Sequence, residues 1–124
     1  MSRLSTTAEN AGIAAIAVPS TTYYLALFTT DPGTTGASGE VSGGSYARQV
    51  LQFSSASGGS ESSTDAQTFT NMPAESGGIP YFGVFSAATG GTYEFGGLTS
   101  GLSSAISAGS TVTFAIGAVT ASIS

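Results

Sequence analysis

The side chains able to do chemistry in this sequence are few: seven carboxylates, two cations and a large stock of hydroxyls, with no histidine and no cysteine. Lysine is missing as well, because the two cations are Arg3 and Arg48. Acid-base and covalent catalysis draw on groups whose protonation can be tuned near neutral pH, and imidazole, thiol and amine are the usual ones. Among the acids, Glu61 and Asp65 lie closest together along the chain. A glycosidase pair needs two carboxyl groups about 5–10 Å apart, but these two fall in a Ser/Gly-rich stretch where acids keep a surface solvated. The residues therefore name no catalytic group, and the chain is expected not to be an enzyme.

The same acids raise the question of a hard cation. Asp31, Glu40, Glu61 and Asp65 could converge from loops to offer oxygen ligands to calcium. No spaced Asp-x-Asp-x-Asp loop exists, so they read as plain surface acids, and no metal or cofactor is expected. The glycine clusters have neither a following Lys-Ser/Thr nor a strand-to-helix setting, which makes them turns rather than phosphate cradles. Arg48 is more telling, as the one cation in the folded body. An ion pair with Asp31 or Glu40 would pin the loop 31–45 onto a sheet, a role that suits the planar fork of a guanidinium. Tyr23, Tyr24, Tyr81 and Tyr93 read as half-buried core rather than as a sugar-binding platform.

The elements that position these residues follow from periodicity. Residues 2–18 place Leu4, Ala8, Ala11, Gly12, Ala15 and Ile16 on one face of a helix, which Pro19 stops. From Thr21 the period changes to that of strands. Thr21 to Thr30 carries apolar residues on both faces and closes on the turn Asp31-Pro32-Gly33, so it should lie centrally in a sheet. Tyr46 to Phe53, Ala66 to Met72, Ile79 to Ala87, Thr92 to Leu98, Thr111 to Ile116 and Ala118 to Ile123 follow as strands. Ala88-Thr89-Gly90-Gly91 should close a hairpin, and Gly83 should mark a bulge or a close approach of backbone. The stretches 31–45 and 54–65 read as long loops, exposed or facing a partner.

About seven short strands at this spacing predict a mainly β fold, a single-domain antiparallel β-sandwich or barrel with a short N-terminal helix. The organisation is then an N-terminal helix or arm over 1–20 and a β-sandwich domain over 21–124. The chain has 124 residues, the size of one domain, and only 7% of them are charged against roughly 25% in ordinary soluble domains. The formal charge of −5 offers no basic stripe to neutralise phosphates, so neither nucleic acid nor an anionic membrane is an expected partner. Sparse surface charge fits a protein whose surface is covered by neighbours.

Longer stretches carry a family resemblance. Tyr24-Leu25-Ala26-Leu27-Phe28-Thr29-Thr30-Asp31-Pro32-Gly33 and Gly39-Glu40-Val41-Ser42-Gly43-Gly44-Ser45-Tyr46-Ala47-Arg48-Gln49 resemble the opening motifs of a small tailed-bacteriophage protein family usually labelled tail fibre or minor tail protein. Phe82-Gly83-Val84-Phe85, Ala87-Ala88-Thr89-Gly90-Gly91 and Ala108-Gly109-Ser110-Thr111-Val112-Thr113-Phe114-Ala115 are similar to its later strands. The resemblance covers roughly Tyr24 to Ile123 in order. It implies a structural protein of the virion, whose partners are the major capsid protein or tail proteins and other copies of itself, a trimer being the expected oligomer.

Fibres are long and usually far larger, and no repeat of an extended shaft is present. The first expectation is therefore a capsid decoration, or cement, protein that sits outside the head and stabilises contacts between coat subunits. The alternatives are a tail-fibre or minor tail surface module that contacts the host, and a carbohydrate-binding domain.

Overall fold

The computed structural model describes residues 21–33, 35–54, 60–99 and 101–122. Among them the chain forms eight strands and no helix: β1 (Tyr23–Phe28), β2 (Gln49–Leu51), β3 (Ser60–Ser62), β4 (Gln67–Met72), β5 (Tyr81–Phe85), β6 (Tyr93–Leu98), β7 (Ser110–Phe114) and β8 (Thr120–Ser122). The helix expected over 2–18, and with it the arm over 1–20, lies outside the described residues. The mainly β class expected from the sequence is the class observed.

A closed barrel is not formed. The strands fall into a four-stranded sheet of order β2-β1-β5-β6 and two two-stranded sheets, β3-β8 and β4-β7. Closure would require the first and last strands of one sheet to pair with each other, and the four-stranded sheet instead ends at β2 and β6. The β1/β5, β5/β6 and β3/β8 pairs are antiparallel. The chain divides into two compact units, one made of Tyr23–Val50 and Thr68–Thr113, the other of Leu51–Gln67 and the C-terminal stretch from Phe114.

In the larger unit β1 is an interior strand, as its two apolar faces require: Tyr23, Leu25, Ala26, Leu27 and Phe28 are all buried. Its register against β5 sets Ala26 opposite Gly83 and Leu25 opposite Val84. Small residues meet there because the Phe28 ring needs the space: a Cβ on Gly83 would stand 2.8 Å from Phe28 Cε1. The ring stacks on Phe85 with centroids 6.1 Å apart, and Phe85 meets Tyr93 edge-on at 5.4 Å. A register shift falls one residue beyond Gly83, between Val84 and Phe85, so the expected bulge lies beside this glycine, whereas what approaches it closely is aromatic ring carbons and not backbone.

The smaller unit is organised around the β3-β8 pair and the buried Ser63. Ser63 faces Phe53 in an isolated bridge, its amide donates to Val119 O at 2.8 Å, and its hydroxyl accepts from the amides of Gly117 and Val119. Residues 54–65 were expected to be loop, yet β3 lies within them, and Glu61 at its centre is 1% exposed rather than solvated. Ser-Glu-Ser carries no apolar alternation, because a backbone ladder to β8 asks nothing of the side chains.

Candidate functional site

The most elaborate polar arrangement in the described structure surrounds Arg48, and the chain builds it from four separate segments. The turn after β1 begins it. Asp31 Oδ1 accepts from Gly33 N at 2.8 Å, Gly33 takes a φ of 65°, and Gly36 N donates to Pro32 O at 2.9 Å. The returning chain runs antiparallel beside the end of β1: Thr29 N donates to Gly39 O, Val41 N donates to Leu27 O, both at 2.9 Å, and Phe28 bridges Glu40. Glu40 is thereby fixed at the margin of the core, beside the buried Val41.

A second turn brings the partners. Gly44 lies so close to Asn71 O and the Pro73 backbone that no side chain fits, and Ser45 N donates to that same Asn71 O at 2.9 Å. Asn71, with a φ of 48°, returns a bond from its side-chain amide to Ser45 Oγ at 2.9 Å. This tight junction delivers Tyr46, whose ring stacks on Phe69 with centroids 5.8 Å apart and planes 6° from parallel. The Tyr46 hydroxyl donates to Glu40 Oε2 at 2.7 Å and accepts from Leu27 N at 3.0 Å.

Arg48 completes the cluster. Its Nε donates to Glu40 Oε2 and its Nη2 to Glu40 Oε1, both at 2.9 Å, the two-point geometry of a guanidinium on a carboxylate. Its Nη1 donates to the carbonyls of Ala87 at 3.0 Å and Gly90 at 2.9 Å, in the turn between β5 and β6. The guanidinium carbon lies 3.7 Å from the centroid of the Phe85 ring. With its side chain 10% exposed, Arg48 ties residue 40 to residues 87–90 across the face of an aromatic ring.

The electrostatics follow from this packing. Burial opposes ionisation of Glu40, but the hydrogen bonds from Arg48 and Tyr46 and the charge of Arg48 outweigh it and hold the carboxyl below its ordinary value. The hydrogen bond to Glu40 raises the proton affinity of Arg48 further. Burial, then the adjoining carboxylate, pushes the Tyr46 phenol far above its usual range. All three groups are thus held in one protonation state across neutral pH. A carboxylate with lowered proton affinity is a weak base, and its oxygens are already taken by three donors, so the cluster is built to hold positions.

An open pocket of about 470 Å3 lies beside the cluster, between residues 40–48 and residues 88–90. Its walls are Val41, Ser42, Gly43 and Ala47 on one side and Ala88, Thr89 and Gly90 on the other, with Glu40, Tyr46 and Arg48 contributing. It is lined by small side chains, hydroxyls and backbone, and carries one ion pair whose charges cancel.

Of the residues singled out in the sequence, the structure brings Arg48 and Glu40 together and gives Asp31 to its own turn. Asp31 and Glu40 belong to the larger unit, Glu61 and Asp65 to the smaller. Among the described residues no three His, Cys, Asp or Glu side chains are placed to hold a metal ion. Tyr23 is buried and Tyr24, Tyr81 and Tyr93 are half-buried. The sequence reading did not find Tyr46 as the link between Glu40 and Leu27, nor Phe85 and the 87–90 carbonyls as partners of Arg48. The carbonyls lie about forty residues from Arg48 and leave no trace in side-chain pattern.

A family model for the podophage GP4 fiber I protein gp80 matches residues 4–122. The chain belongs to this family. No match was found among curated proteins. The match bears out the phage tail-protein resemblance seen in the sequence and makes this gp80-family chain a structural protein of the virion. It favours a fibre or tail protein over the expected capsid decoration, for which nothing in the match speaks.

Proposed function

We propose that this chain is a fibre module on the tail of a podophage, which works through shape and adhesion and catalyses no reaction. The observation that carries this reading is the match to a fibre protein family over residues 4–122, nearly the whole chain. The Arg48 cluster supports it: the best-organised polar groups are spent on fixing a surface turn, which serves a protein that presents a surface. Other tail proteins and further copies of the same chain are its proposed partners, and a trimer its proposed assembly.

Copy number and location test the proposal together. Quantitative mass spectrometry of purified virions should give a handful of copies per particle, and gold-labelled antibody should mark the tail in electron micrographs. Particles stripped of the protein should lose adsorption to host cells while their heads keep their heat resistance. Copies approaching those of the coat protein, with label over the head, would overturn the tail placement and restore the decoration reading.

A further inference from the structure

The smaller unit holds an ionisable side chain whose charge has no counterpart among the described residues. Glu61 is the middle residue of β3, opposite Ala121 of β8, and is 1% exposed. Neither of its carboxyl oxygens has a hydrogen-bond partner among the described residues. The elements beside it bring no charge: β8 is Thr-Ala-Ser, and residues 51–54, whose Ser54 amide donates to Ser62 O, are Leu-Gln-Phe-Ser. The other ionisable side chain among the described residues of this unit is Asp65, whose backbone oxygen and Oδ1 accept from Gln67 Nε2 at 2.7 and 3.4 Å. No cation is present among those residues.

A carboxylate in such a place gives up its hydration and receives nothing in exchange, which is among the largest penalties a fold can carry. The way out is to keep the proton. We propose that Glu61 is carried as the neutral acid, and that its proton is a switch on the β3-β8 ladder, closed when bound and opened when lost. Burial by itself pushes this carboxyl above its ordinary value of 4.5. The folded chain then binds the proton more tightly than the unfolded chain. The stabilisation is complete below the ordinary value and is lost as pH rises through the raised one.

The ladder is short enough for one residue to matter. It consists of three register pairs, Ser60 with Ser122, Glu61 with Ala121 and Ser62 with Thr120, and Glu61 holds the centre. An ionised Glu61 reaches water by lifting β3 away from β8. This device is independent of where in the virion the chain resides, and stands or falls without reference to the fibre reading.

The test uses the purified chain. The Glu61 side-chain carboxyl carbon is followed by NMR through a pH titration, and denaturant unfolding is compared between the natural chain and Glu61→Gln, which keeps the shape and removes the proton. The Glu61 midpoint should lie above 4.5. Glu61→Gln should match the natural chain at acid pH and exceed it at high pH, by about tenfold in the unfolding equilibrium constant for each unit by which the midpoint is raised. Backbone amides of β3 and β8 in the natural chain should lose protection as pH rises, beyond the chemical effect of pH on exchange. A midpoint at or below the ordinary value, or a variant no more stable than the natural chain at high pH, would overturn the proposal. The titration of the natural chain decides the matter alone if the variant does not fold.

Discussion

Arg48 sits over Phe85 with its guanidinium carbon 3.7 Å from the ring centroid, while four hydrogen bonds engage its nitrogens. The same Phe85 stacks on Phe28 in the core. One side chain therefore covers an aromatic core and closes a polar network, and the two tasks demand different atoms. Replacing Arg48 by Lys keeps the charge but gives up the fork and the planar face. Arg48→Lys should destabilise the chain by about 1–3 kcal/mol, the range for losing hydrogen bonds to charged groups while the charge itself is retained. Equilibrium unfolding in urea measures it, and a loss below about 0.5 kcal/mol would show the pair to be a surface ornament.

Glu40 makes this arrangement sensitive to acid. Its proton affinity is lowered in the folded chain despite burial, through Arg48 and Tyr46. The stabilisation it gives is therefore present above its ordinary value of 4.5 and disappears as pH falls through the lower, folded value. At neutral pH the natural chain should be more stable than Glu40→Gln, and the two curves should converge as pH falls below 4.5 and through the lowered, folded value. Parallel curves in thermal melts across this window would dissociate Glu40 from the acid response.

Tyr46 offers a cleaner measure of the network. Its ring stacks on Phe69 and would remain in Tyr46→Phe, so that substitution removes only the hydroxyl. Leu27 N then loses its acceptor and Glu40 Oε2 one of its donors. The expected loss is about 1–3 kcal/mol, the penalty for leaving a buried donor unsatisfied. A double-mutant cycle with Glu40→Gln should show coupling, since one change removes the donor and the other the charge of the acceptor in the same bond. Strict additivity would mean that the hydroxyl serves Leu27 alone.

How much of this was legible follows from where each signal resides. The apolar pattern of residues 23–28 announced a central strand, and Asp31-Pro32-Gly33 announced its turn, because side-chain type and local φ decide both. Arg48 and Glu40 could be named as partners because few charges compete. What the sequence concealed was carried by backbone. β3 pairs with β8 in a main-chain ladder that needs no apolar alternation, and so a Ser-rich stretch looked like a solvated loop. Arg48 spends Nη1 on two carbonyls that any residue would supply. The choice between Asp31 and Glu40 likewise depended on which loop residue runs beside β1, and that is decided by the ladder to Leu27 and Thr29.

Gly83 tests the packing under the cluster. A Cβ there would meet Phe28 at 2.8 Å, Tyr93 at 3.1 Å and Phe85 at 3.3 Å, all ring carbons in one aromatic group. These rings hold one another in place, so none can turn aside freely. Gly83→Val, although it substitutes a better strand former, should cost about 1–3 kcal/mol by overpacking. It should also displace Phe85 and so disturb Arg48, visible as altered chemical shifts of the Arg48 side chain. A variant as stable as the natural chain would mean that strand propensity outweighs the crowding.

Ser63 does for the smaller unit what Arg48 does for the larger, with a single oxygen. It is 3% exposed, and its Oγ accepts from Gly117 N at 3.1 Å and Val119 N at 3.3 Å. Gly117 N also reaches Ser63 O at 3.0 Å, so the hydroxyl is a second acceptor there, whereas Val119 N depends on it more heavily. Ser63→Ala removes the acceptor and leaves the backbone contacts intact. The expected cost is about 1–3 kcal/mol, concentrated where the chain turns back into β8. Hydrogen exchange should then show the Val119 amide losing protection while amides of β1 and β5 keep theirs, since those strands form their own ladder in the larger unit. Equal loss in β1 and β5 would mean instead that both units unfold as one cooperative body.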